Sequence, residues 1–166
     1  MWAWVLSLML VLLPPRANDV RRLHTYAAVA WVIAHEARTP DDAAVLAAIG
    51  FYESGYSPQA VGKMGEIGVW QLMGPPYAAA PPKTLRGQAR EALRRWHEQG
   101  PCGYAGEPVT HCVKGRNRAL LAAMLRAAYP APGDGTDHVE TVANAARDAY
   151  AEGGDPIADT PRGIYE

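Results

Sequence analysis

The stretch "GFYESGYSP", residues 50 to 58, sets one carboxylate, Glu53, between an apolar helical run and a glycine at which that helix should end. Ile49 lies one turn earlier on the same face and Tyr52 is its immediate neighbour. The surroundings are therefore partly apolar, and the last-turn position sets the side chain against the negative end of the helix dipole. Desolvation and the dipole both disfavour the charged form, so this position suits a carboxyl that holds its proton near neutral pH and donates it to a leaving oxygen. Taken alone, the stretch is better read as an exposed glutamate at a fraying helix end.

The elements that must position Glu53 are helical. "TPDDAAVLAAIGFYES" has Thr39 at the N-cap, Pro40 in the first turn, Asp41 and Asp42 near the positive end of the dipole, and Gly55 as the left-handed stop. A preceding helix capped by Asp19 runs to about Arg38, with Val20, Leu23, Ala27, Ala30, Trp31 and Ala34 as its apolar stripe. Further helices are expected over Leu85 to Gln99, Arg116 to Ala128 and about Asp137 to Ala151. Only "EIGVW", residues 66 to 70, offers a small strand or an irregular turn. The fold class is thus all-α, with the helical domain over residues 19–152 and a loose tail over 153–166. The connectors on either side of the third of these helices have unusual composition, and function is expected there.

The 166 residues are 49% hydrophobic and 20% charged with a net charge of -1, a composition that suits one globular domain. Near-neutral charge removes the footprint of a nucleic-acid binder, and the short basic runs Arg94-Arg95 and Arg116 to Arg118 read as solvated helix faces. Residues 1–17 contain an uncharged run from Trp2 to Leu13 that Pro14 and Pro15 stop. The run is too short for a bilayer, which needs about 20 apolar residues, and has the length of a signal-peptide core. Export is the expectation, with a membrane stub or a buried helix as the alternatives. Cys102 and Cys112 lack zinc-site spacing; in an exported chain they are expected to form a disulfide, and in a reducing cytosol they would be two inert thiols.

Residues 53 to 74, "ESGYSPQAVGKMGEIGVWQLMG", resemble the signature of the soluble lytic transglycosylase family of the lysozyme-like superfamily. In that signature Glu-Ser-Gly at a helix end leads to a Gly-x-x-Gly-x-x-Gln turn, here Gly65, Gly68 and Gln71. "CGYAGEP" is similar to the family's Tyr-Asn-Ala-Gly segment, with Tyr104 and Gly106 kept and the asparagine absent or displaced. The likeness covers roughly residues 40 to 108 and implies a lysozyme-like helical fold. It also implies cleavage of the β-1,4 bond between N-acetylmuramic acid and N-acetylglucosamine in peptidoglycan, with a 1,6-anhydro product. One carboxylate suffices for that reaction, because the muramic C6 hydroxyl is the nucleophile and one glutamate serves as acid and then base.

The resemblance implies Glu53 as the catalytic residue and Ser54, Gly68, Trp70, Gln71 and Tyr104 as substrate-side residues, Tyr104 orienting Glu53 by a hydrogen bond. Gly68 allows close backbone approach, Gln71 offers an amide that donates and accepts, and Trp70 can stack on a sugar or lie in the core. Ser54 can instead serve only to cap the helix end. Neither metal nor organic cofactor is implied; the implied partner is the peptidoglycan glycan strand at the periplasm or cell envelope, in cell-wall turnover, a secretion machine or a phage particle. Glu66 and Glu107 depart from the family pattern. Either of them across the substrate from Glu53 would favour a hydrolytic muramidase. The reduced Tyr-Ala-Gly segment leaves a third alternative, a non-catalytic peptidoglycan-binding component.

Overall fold

A computed structural model describes residues 1–16, 19–75 and 78–131; the expected helix over 137–151 and the tail over 153–166 lie outside them. The described chain is all-α. Its helices are α1 (Trp2–Leu12), α2 (Val20–Glu36), α3 (Pro40–Ser54), α4 (Leu85–Tyr104) and α5 (Lys114–Ala128), with one 3-10 turn at Val109–His111 between the last two.

α3 is the central element and touches each of the other four helices. Its small side chains explain how: Ala43, Ala44, Ala47 and Ala48 are fully buried around Leu46 and Ile49, so neighbours approach its backbone from several sides. Both ends follow local rules. Thr39 accepts a hydrogen bond from the Asp42 amide at 3.1 Å, and Gly55 takes φ 59 and ψ 38 while Gly55 and Tyr56 donate to Phe51 and Gly50 carbonyls.

α2 is capped by Asp19 through the Arg22 amide and stops at Glu36, because Ala37 is already extended. Its buried face is Tyr26, Val29, Ala30, Val32 and Ile33, rotated from the expected stripe, and Val20 is exposed. The rotation follows from contact with both α1 and α4, which broadens the covered face beyond one stripe. Glu36 accepts from Arg86 and Arg90 of α4 and ties the two helices together.

α1 is a core helix. Trp4, Val5, Leu6, Leu8 and Met9 are buried against α2 and α3, and the indoles of Trp2 and Trp4 donate to the carbonyls of Ala27 and Tyr129 at 3.1 and 3.0 Å. Of the three readings of this run, burial is the arrangement observed. No helix among the described residues is long and apolar enough to cross a membrane.

α4 continues one turn past its expected end. Gly100 breaks the helix with φ 69, and residues 101 to 104 resume it, which brings Tyr104 inward. α5 begins at Lys114, two residues before the expected start, with the Gly115 amide donating to Glu107 Oε2 at 3.1 Å. "EIGVW" forms no strand; Ile67 makes single antiparallel bridges to Val61 and Leu72 inside an irregular loop.

Candidate active site

Glu53 occupies the last turn of α3, and the residues after it fold back on that helix end. Ser54 Oγ donates to the Val69 carbonyl at 2.8 Å and accepts from the Ser57 amide at 3.1 Å. Tyr56 has φ 65, is fully buried, and donates to the Ala47 carbonyl at 3.0 Å. Serine at 54 thus fastens the loop to the helix rather than presenting its hydroxyl to a ligand. The capping role foreseen for it is enlarged into a link across fifteen residues.

The loop from Ala60 to Leu72 closes on its own polar groups. Gly68 takes φ 77, a left-handed conformation that favours glycine, and packs against the end of the Gln88 side chain of α4. Gln71 takes φ 46 and its amide nitrogen donates to the Gly68 and Ala60 carbonyls at 2.9 and 3.2 Å. Those two bonds use both hydrogens of the amide, leaving only its oxygen for a ligand. Trp70 is fully buried and donates to the Leu46 carbonyl at 3.0 Å. The expectation of a sugar-stacking Trp70 is corrected: its indole is a core wedge between the loop and α3.

Tyr104 also departs from expectation. Its hydroxyl donates to the Trp70 carbonyl at 2.8 Å, so its one hydrogen does not go to Glu53. Burial pushes the Tyr104 hydroxyl well above its ordinary value, and the nearby Glu53 charge adds to that shift. The two residues are electrostatic neighbours without the expected hydrogen bond. Trp96 packs edge-on against the same ring, with centroids 6.0 Å apart. Cys102 and Cys112 form a disulfide that closes the connector holding Tyr104.

The partner of Glu53 is Arg118, a residue that sequence reasoning assigned to a solvated helix face. Its Nη2 donates to Glu53 Oε1, and its guanidinium carbon lies 5.7 Å from the centroid of the Tyr52 ring. Arg118 is 6% exposed, buried in the same turn-spaced row as Ala122 and Leu125. That spacing was a usable signal, since residues 118, 122 and 125 share one helical face. In the free protein Glu53 is thus paired with this guanidinium from α5 rather than with the Tyr104 hydroxyl. Oε2 of Glu53 has no protein partner among the described residues.

The two carboxylates that could have served as a second catalytic group have other contacts. Glu66 Oε2 accepts from the Met64 amide at 2.9 Å within its own loop, and Glu107 Oε2 caps the start of α5. The end of α3 is tied to the glycine loop through Ser54, and that loop to α4 through Tyr104, whereas the Trp70 indole faces the core. No family model, curated protein or solved structure matches the chain.

Proposed function

We propose that this protein is a peptidoglycan lytic transglycosylase in which Glu53 is the acid and base. The observation that carries the reading is that Ser54, beside Glu53 at the end of α3, and Tyr104 from α4 both donate to backbone carbonyls of the loop that carries Gly68 and Gln71. A polar carboxylate oxygen, Oε2, is left without a protein partner there, which is the atom a proton transfer needs. In the reaction, Glu53 in its protonated form gives its proton to the glycosidic oxygen between N-acetylmuramic acid and N-acetylglucosamine. The muramic C6 oxygen attacks C1 as that bond breaks, and the Glu53 carboxylate takes the C6 hydroxyl proton. One bond is made and one broken, the proton returns to Glu53, and no water is consumed.

Action on peptidoglycan requires a location at the cell envelope, so export with residues 1–16 retained is part of this proposal. Mass spectrometry of digested peptidoglycan tests it. Released muropeptides are expected to end in 1,6-anhydro-muramic acid, lighter by one water than hydrolysed ones. Reducing ends from the first minutes of digestion would instead assign a hydrolytic muramidase.

A second reading, a glycan-binding component without activity, is favoured by one observation. The Glu53 carboxylate is tied to the buried Arg118 in an ion pair, the arrangement of a structural contact between α3 and α5. Purified cell walls that bind the protein but show no loss of turbidity would assign that reading.

A further inference from the structure

The Trp70 indole lies in the core, so a sugar bound beside Glu53 must find its apolar partner elsewhere. Tyr52 directly precedes Glu53 in the last turn of α3. It is 47% exposed, more than any other Tyr, Trp or Phe among the described residues. A single exposed apolar side chain is ordinary on a protein surface, so its surroundings decide what it means. Among the described residues, the other large apolar side chains exposed between Val20 and Val109 are Val61 and Met64. Both belong to the glycine loop that Ser54 fastens to this helix end. Exposed apolar surface in this part of the chain is thus confined to the segment that begins at Tyr52.

The ring is held from beneath. The Arg118 guanidinium carbon lies 5.7 Å from its centroid, and Phe51 packs edge-on with centroids 5.3 Å apart. Arg118 is buried, so it meets the ring from the protein side and the open surface of the ring is turned to solvent. The same guanidinium donates to Glu53 Oε1. One buried cation therefore fixes both the ring and the carboxylate and sets their relation to each other. The Tyr52 hydroxyl makes no hydrogen bond to the described residues, so no polar contact of the fold accounts for the side chain. A ring already held in place loses little freedom when a ligand covers it.

We propose that Tyr52 is the stacking platform for one pyranose ring of the glycan strand at the candidate site. The inference rests on the glycan-directed reading given above, whether lytic or binding alone. β-1,4-linked N-acetylhexosamines carry their large substituents around the rim, so each face of the sugar is a patch of axial C–H groups. Such a face packs on an aromatic ring, whose electron-rich surface attracts the C–H hydrogens. Because Tyr52 adjoins Glu53 and shares its cation, a sugar seated on the ring lies beside the carboxylate. Tyr52 touches the strand, takes no part in bond making, and sets which sugar of the strand is presented there.

The test uses soluble glycan strands, made by removing the stem peptides from peptidoglycan with an amidase. They are titrated into the full chain and followed by nuclear magnetic resonance, and the same samples are analysed by mass spectrometry for anhydro ends. In the wild type, sugar C–H protons are expected to move upfield on binding through the ring current of the tyrosine. Tyr52→Leu, which keeps apolar bulk without a ring, is expected to lose that shift and to bind about tenfold more weakly. Tyr52→Phe and Tyr52→Trp are expected to stay within about threefold of the wild type. Affinity of Tyr52→Leu within about twofold of the wild type, or an upfield shift that survives in it, would overturn the platform. Anhydro ends in those same samples would then leave the lytic reading intact. Weakened binding by Tyr52→Leu with no anhydro ends from the wild type would keep the platform and assign the glycan-binding reading. Absence of both binding and anhydro ends in the wild type would remove the glycan reading and this inference together. If Tyr52→Leu does not fold, Tyr52→Phe assigns the Tyr52 ring protons of the wild type by difference. Absence of nuclear Overhauser effects between those protons and the bound sugar would then overturn the platform.

Discussion

The hydroxyl of Tyr104 donates to the main-chain carbonyl of Trp70 at 2.8 Å, joining the last turn of α4 to the glycine loop that follows α3. Through this one bond the connector closed by the Cys102–Cys112 disulfide and the loop beside Glu53 hold each other in register.

The first prediction concerns that bond and alkaline pH. Burial holds the Tyr104 and Tyr56 hydroxyls well above the ordinary value of 10.0, so the folded protein keeps two protons that the unfolded chain releases. Their contribution to stability is full below pH 10 and declines as pH rises above it. Denaturant titrations from pH 8 to 11 should show stability falling above about pH 10, and Tyr104→Phe should flatten that fall while costing about 1–3 kcal/mol at pH 8. A variant with the wild-type slope would dismiss the assignment.

Glu53→Gln should abolish muropeptide release, since an amide of the same size has no proton to give. It should also destabilise the protein, because Arg118 is then left buried without a counter-charge. Glu53 is partly exposed, so the expected cost is about 1–3 kcal/mol rather than the larger figure for a fully buried pair. In a double-mutant cycle, Arg118→Met should cost less in the Glu53→Gln background than alone, and additive effects would show that the pair is not coupled.

Two glycines with positive φ differ in what lies beside them. At Gly65 nothing lies within 4 Å of an added Cβ, and at Gly68 the end of the Gln88 side chain lies 2.1 Å from it. Gly65→Ala should therefore cost about 1 kcal/mol from backbone strain alone, and Gly68→Ala more, by what it takes to shift the Gln88 amide. Equal midpoints in urea for the two variants would contradict the contact between Gly68 and Gln88.

Removal of residues 1–16 should abolish cooperative unfolding. Val5, Leu8 and Met9 are fully buried, and Trp4 and Leu6 nearly so. Each large side chain withdrawn from such a site forfeits about 1.5–3 kcal/mol of burial, which together exceeds the margin of about 5–15 kcal/mol available to a small domain or comes close to it. Calorimetry on the shortened chain that showed a wild-type transition would place α1 outside the folding unit.

What the sequence by itself determined is local. The N-caps at Asp19 and Thr39, the left-handed stop at Gly55, the helical periods and the pairing of two cysteines in a short connector depend on neighbours within a few residues, and such interactions are written in the order of the chain. Position 53 was legible for the same reason, as a carboxylate at a helix end followed by a spaced set of glycines. The tertiary structure alone decided what those residues touch. Arg118 lies sixty-five positions from Glu53, and only the packing of α5 on α3 brings its guanidinium to the carboxylate. Trp70 turned inward because the gap beside Leu46 offered both burial and an acceptor for its N–H, a combination that no pattern around residue 70 encodes. The first run of the chain reads as a leader by length and composition, yet its place in the core depends on complementary faces of α2 and α3. Apolar burial is non-directional, so a helix is covered by whichever partner fits, and fit is a property of the assembled chain.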